Sequence, residues 1–196
     1  MKYRETTAEL DRYREQIAAI RTRMRRLQQV VEPEAVADYR FETVAGPVSL
    51  SDLFGAHRDL YVVHNMGRGC AYCTLWADGF NGVHAHLATR AAFVVSSPDA
   101  PEVQQAFATS RGWRFPMVSH RGTTFAADMG YRDAGGEYRP GVSVFRRDGG
   151  RVLRVSDAGL RPLDDFCALW HLFELLPEGP AGWRPQLQYA SGGVNA

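Results

Sequence analysis

Cysteine is scarce in this chain of 196 residues: it has three, too few for a disulfide framework to hold a protein of this size. Long apolar runs are missing too. No segment approaches the roughly 20 apolar residues of a membrane span, and "MKYRETTAELDRYREQ" lacks the apolar stretch of a signal peptide. A cytoplasmic protein with no membrane partner is expected. Charge of one sign is not in excess, and the formal net charge of +1 gives no general pull towards nucleic acid or acidic lipid. The Gly-Gly pairs and "SDAGLR" match neither a phosphate cradle nor a dinucleotide fingerprint. Internal repeats and low-complexity tracts are absent.

What is present is an ordinary globular composition, 45% hydrophobic and 23% charged, at a length that one core can serve. Three parts are expected: a helical extension over 1–35, a domain over 36–176, and a tail over 177–196 whose Pro and Gly content gives it little means of burying itself. In the extension, Leu10, Tyr13, Ile17, Ile20, Met24 and Leu27 recur at alternating spacings of three and four. This predicts one helix over 5–30, broken at Pro33, whose apolar seam packs either on its own domain or on a second copy in a homodimer. Arg21, Arg23, Arg25 and Arg26 are accounted for as a solvated face near a helix C-terminus, so no nucleic-acid partner is expected.

From Tyr39 the pattern changes. "YRFETVAGPVSL" reads as two extended pieces around Gly46-Pro47, and "DLYVVHNM" and "AAFVVSS" as buried strands. Between them "TLWADGFNGVHAHLATR" is a helix pattern interrupted by Gly79 and Gly82. "SPDAPEVQQAFATSRGW" gives a helix ending at Gly112, and "RFPMVS" a third extended piece. "VSVFRRDGGRVLRVS" is a hairpin turning at Asp148-Gly149-Gly150. "RPLDDFCALWHLFELL" closes the domain as a helix with Phe166, Leu169, Trp170 and Phe173 on one face. A strand-helix-strand unit needs parallel strands and the hairpin adds an antiparallel edge, so the class is α/β with a mixed central sheet flanked by helices.

The chemistry centres on Cys70-Ala71-Tyr72-Cys73, at the junction of a strand and a helix. A cysteine at a helix start faces unpaired N–H groups and the positive end of the dipole, which favour the thiolate, the nucleophilic form. Cys73, one turn later, is within reach to resolve a mixed disulfide. Gly67 and Gly69 let the chain turn out of the strand, and Arg68 adds positive charge nearby. A zinc site built from Cys70, Cys73, His84 and His86 is the chief rival. A continuous helix would set His84 about 16 Å along the axis from Cys73, whereas the two glycines leave a break open. Copper held by the dithiol with His64 or His120 is a weaker variant. His64 on its own reads as a core histidine, and Cys167 as a small buried hydrophobe.

The arrangement resembles the thioredoxin fold with the extra N-terminal structure of peroxiredoxin-like members. "VVHNM…CAYC…WADGFNG…HL", "GWRFPMVS" and "PGVSVFRRDGG" more narrowly resemble a bacterial thioredoxin-like family of unknown function, over roughly Tyr39 to Phe173. The resemblance implies a thioredoxin-like fold, Cys70 as attacking and Cys73 as resolving thiol, and a cis-proline at Pro140 facing the dithiol, with Arg139 beside it. Trp76 then shapes the substrate surface or sits in the core. A thiol-disulfide oxidoreductase acting on a protein or small-molecule disulfide follows, with no cofactor beyond the dithiol. A thioredoxin-like binding scaffold without redox activity is the alternative. A peroxidase fits less well, because Gly67 stands where peroxiredoxins carry the Thr or Ser hydroxyl three residues before their cysteine.

Overall fold

The apolar runs at Leu60–Val63 and Phe93–Val95 are hydrophobic at every position, the pattern of strands covered on both faces. In the computed structural model, which describes residues 3–189, they are the central parallel pair of an eight-stranded sheet. The strands are β1 (Glu34–Val36), β2 (Arg40–Thr43), β3 (Gly46–Ser49), β4 (Asp59–His64), β5 (Ala92–Ser97), β6 (Met117–Ser119), β7 (Gly141–Asp148) and β8 (Arg151–Gly159). Their order is β1-β8-β7-β4-β5-β6-β2-β3. β4, β5 and β6 run parallel, and β7 lies antiparallel against β4 with His64 opposite Gly141. The hairpin turns at Gly149-Gly150, both at positive φ, as a two-residue loop of that kind requires.

The helices are α1 (Tyr3–Gln29), α2 (Ala71–Leu87), α3 (Pro101–Arg111), α4 (Phe125–Asp128) and α5 (Ala168–Phe173). On one face of the sheet Leu60, Val62, Val94, Val118 and Phe145 pack with Phe41, Phe54, Phe125 and Tyr131. On the other, Val63, Phe93, Val95 and Val142 meet Trp76, Ala77, Trp113, Phe115, Leu160 and Trp170. Layers on both sides of a mixed sheet are the expected class. Gly141 admits the Tyr131 ring: a Cβ there would stand 1.8 Å from the ring carbon Cε1.

Several sequence expectations are corrected. α2 runs unbroken through Gly79 and Gly82, because its buried face (Cys73, Thr74, Trp76, Ala77) anchors it on the sheet and overrides the cost of glycine. The turn between β2 and β3 lies at Val44-Ala45, and Gly46-Pro47 already belongs to β3 on the sheet edge, where proline is tolerated. The last helix is only six residues long. Phe166 precedes it at 44% exposure, since Asp164 accepts bonds from the Arg161 and Phe166 amides and turns the chain there.

β1 was not anticipated. It pairs with β8 as a three-residue edge strand just after Pro33. The part of the tail that is described also docks. The Trp183 ring lies 5.1 Å from Phe173 and 5.7 Å from Trp170, and Arg111 donates to the Leu187 carbonyl at 3.0 Å. Residues 190–196 of the expected tail lie outside the described residues. α1 forms as predicted, yet none of its residues is buried, so its seam does not pack on its own domain. Among the described residues, no helix is long and apolar enough to cross a membrane.

Candidate active site

The chain leaves β4 at His64 and reaches α2 through a loop that fixed hydrogen bonds hold. The Gly67 amide donates to Asn65 Oδ1 at 2.8 Å and the Arg68 amide to Asp99 Oδ2 at 2.8 Å. Gly67 has φ +106°, and a Cβ there would meet Asp99 Oδ2 at 3.2 Å, so both the backbone and the space call for glycine. Asn65 and Asp99 were not singled out from the sequence. The Asp99 carboxylate turns to the loop that carries Cys70.

Cys70 is the N-cap of α2, with extended φ and ψ, and its sulfur accepts the Cys73 amide at 3.1 Å. It is half-buried and Cys73 is buried; both are free thiols. The Cys70 thiol is lowered to about 7. The hydrogen bond from the Cys73 thiol is the largest cause, and the Cys73 and Tyr72 amides add to it against the opposing effect of burial. Cys73 is pushed far upward by that same shared hydrogen bond, by burial and by the neighbouring thiolate charge. The Met66 amide points at the Cys73 sulfur at 3.5 Å. The two sulfurs thus divide the roles an attacking and a resolving thiol need: one more readily ionised and partly exposed, the other held protonated and shielded.

Beneath Cys73 lies a small recess lined by Val63, His64, Asn65, Trp76, Pro140 and Leu160. Pro140 thus lines the same recess as Cys73. The Arg139–Pro140 bond, however, is trans, as are all peptide bonds of the described residues, which corrects the expected cis-proline. The flanking backbone is held by the Arg139 amide on the Tyr131 carbonyl at 2.8 Å and the Leu160 amide on the Pro140 carbonyl at 3.0 Å. Arg139 is exposed and paired with Asp133 at 3.3 Å, and Arg68 is exposed beside Gly69. Trp76 is 2% exposed, with its indole N–H on Asp164 Oδ1 at 3.3 Å, so it supports Cys73 from below and offers no surface to a substrate.

The zinc reading loses its geometry. Because α2 is continuous, His84 lies eleven residues beyond Cys73, about 16 Å at 1.5 Å per residue, and its ring packs at 5.8 Å from Phe93 and 6.1 Å from Phe115. Among the described residues, no three His, Cys, Asp or Glu side chains come together as a metal site. His64 and His120 are buried instead in a polar layer where β4, β5 and β6 end and β7 begins. His64 Nε2 lies 2.9 Å from Ser143 Oγ, and His120 Nδ1 lies 2.8 Å from Ser96 Oγ. Burial holds both imidazoles neutral, His120 at about 4. Tyr131 stacks on the His64 ring at 4.0 Å.

A parallel β4-β5-β6 core, an antiparallel hairpin beside it and a cysteine pair at the start of the helix after the central strand define a thioredoxin-fold protein. The chain belongs to the bacterial protein family of unknown function DUF899, whose profile matches residues 3–189. Among solved structures it is similar to Peroxidoxin BcpB from Mycobacterium tuberculosis, at 25% identity and TM-score 0.54, covering 65% of this chain and 84% of that one. It is similar also to peroxiredoxin Q from Xanthomonas campestris (16% identity, TM-score 0.54, 66% and 86% covered). A peroxiredoxin-like protein from Aquifex aeolicus matches at 16% identity and TM-score 0.52, with 65% and 75% covered. No curated protein matches the chain.

Proposed function

We propose that this protein is a thiol-disulfide oxidoreductase in which Cys70 attacks and Cys73 resolves. One observation carries the reading: Cys70 sits half-buried at a helix N-cap with its thiol lowered to about 7, while a buried, protonated thiol stands one turn behind it. The Cys70 thiolate attacks a substrate disulfide, forming a Cys70–substrate mixed disulfide and expelling one substrate thiolate. Cys73 then loses its proton and attacks Cys70 Sγ, releasing the second substrate thiolate and leaving a Cys70–Cys73 disulfide. A reduced dithiol donor returns the two electrons. In this reading the exposed Arg68 and Arg139 meet the substrate, and Pro140 contributes through the recess it lines with Cys73. Three free thiols suit a reducing compartment such as the cytoplasm.

The likeness to Peroxidoxin BcpB supports a second reading, with peroxide as the oxidant. The Cys70 thiolate would then attack one peroxide oxygen, breaking the O–O bond, expelling hydroxide or alkoxide and leaving a sulfenic acid, whose condensation with the Cys73 thiol would release water and leave the Cys70–Cys73 disulfide. Gly67 offers no hydroxyl to orient that peroxide. The test is turnover of a disulfide and of hydrogen peroxide with a dithiol donor, in the wild type, Cys70→Ser and Cys73→Ser. Disulfide reduction lost in Cys70→Ser, with a mixed disulfide trapped in Cys73→Ser, supports the proposal. Equal activity in both variants refutes it, and peroxide turnover exceeding disulfide turnover selects the second reading.

A further inference from the structure

A helix of 27 residues is about 40 Å long, and alone in water such a helix depends on tertiary packing of its apolar face. Among the described residues α1 has no such packing, since none of its residues is buried. Leu10, Ile17 and Met24 stand at one core position of its heptads and Tyr13, Ile20 and Leu27 at the other, each between 46% and 68% exposed. Polar contacts to the body are made by Arg21, to Asp165 at 2.5 Å, and by Gln28 Nε2, to the Val155 carbonyl at 2.8 Å. Both lie in its second half, and neither covers the seam. A continuous apolar stripe of this length is the kind of surface that marks an interaction site.

The charges indicate what covers it. The half before Gln16 carries Glu5, Glu9, Asp11 and Glu15 against Arg4, Arg12 and Arg14, whereas the half after it carries Arg21, Arg23, Arg25 and Arg26 and no acid. A parallel pair would bring the four arginines of one helix against those of the other. An antiparallel pair lays each basic half on the mixed, slightly acidic half of its partner. In the register that opposes the two kinds of core position, Leu10 meets Ile20, Ile17 meets Tyr13, and the flanking Glu9 meets Arg23. Each of these contacts occurs twice by the two-fold symmetry. Arg23 has no ion-pair partner among the described residues. We infer that the occupant of this seam is a second copy of the chain, and that the protein is a two-fold dimer held by antiparallel α1 helices.

The test is the mass in solution of the full chain at micromolar concentration, by light scattering and sedimentation. The expected value is twice the 21.9 kDa of one chain. The Ile17→Glu/Ile20→Glu double variant should be monomeric, with its near-ultraviolet tryptophan signal and Cys70 alkylation rate unchanged, because α1 buries nothing in the body. Glu9→Arg should weaken association by about tenfold, and adding Arg23→Glu should restore it. A monomeric wild type, or a dimer that survives the double variant, overturns the inference. Restoration by Arg14→Glu in place of Arg23→Glu overturns the antiparallel orientation, since Arg14 faces Glu9 only in a parallel pair.

Discussion

The Cys73 thiol is the largest cause of the lowered Cys70 thiol, so removing it should be legible in one titration. In Cys73→Ala the two backbone donors remain and the thiol donor is gone. The apparent midpoint of Cys70 alkylation against pH should therefore climb from about 7 towards the ordinary value of about 8.5. At pH 7 a thiol of midpoint 7 is half ionised, whereas one of about 8.5 is only about 3% ionised, a roughly 16-fold loss of thiolate. The surviving thiolate is the more basic and attacks faster. With a Brønsted slope of about 0.45, a rise of about 1.5 units gives roughly a fivefold gain per thiolate.

The two effects oppose each other, and their net is a decision. At pH 7 the variant should react about threefold more slowly, while above pH 9.5 its plateau rate should exceed that of the wild type by about fivefold. A crossing of the two pH-rate curves is thus expected. Stopped-flow alkylation of the reduced protein, with the modified cysteine located by mass spectrometry, reads it directly. Cys73→Ser, which keeps a hydroxyl donor, should fall between the two curves. A midpoint that stays near 7 in Cys73→Ala would assign the activation to the helix N-terminus alone, and a wild-type midpoint at or above 8.5 would remove the activated thiolate altogether.

The position of Cys70 and Cys73 at the start of α2 could be read from the sequence because it is local: three residues of spacing and one strand-helix junction place both sulfurs. The α1 seam was legible for the same reason, since periodicity is a property of one segment. What covers a seam depends on a second surface, and the sequence left both alternatives open. Asp99 and Asp164 escaped notice because their roles depend on contacts 31 and 88 residues away, to the Arg68 amide and the Trp76 indole. Asp164 also explains why the apolar spacing from Phe166 to Phe173 suggested too long a helix: periodicity records which residues are apolar, and a carboxylate that caps two amides ahead of Ala168 decides where helix begins. β1 was missed because three residues carry almost no pattern, and its pairing is supplied wholly by β8.

Gly141→Ala should lower the melting temperature by about 4–12 °C, because its Cβ would stand 1.8 Å from a Tyr131 ring that stacking on His64 prevents from yielding; a shift under 1 °C would show that the ring gives way freely. Gly67→Ala combines a φ of +106° with a 3.2 Å approach to Asp99, and should cost about 1–2 kcal/mol while displacing the Cys70 alkylation midpoint. A destabilised variant whose midpoint does not move would mean that the loop bonds do not set the sulfur's environment. The last prediction concerns acid. His120 is neutral when folded, titrating at about 4, but at about 6.5 when unfolded, so between these values the unfolded chain binds the extra proton and stability rises with pH. Acidification from pH 7 through 4 should therefore cost up to about 3 kcal/mol at this residue, with His64, shifted the same way by burial, steepening the loss. Urea midpoints for His120→Asn should fall less steeply over pH 6.5–4 than those of the wild type. Parallel slopes would place the acid sensitivity elsewhere.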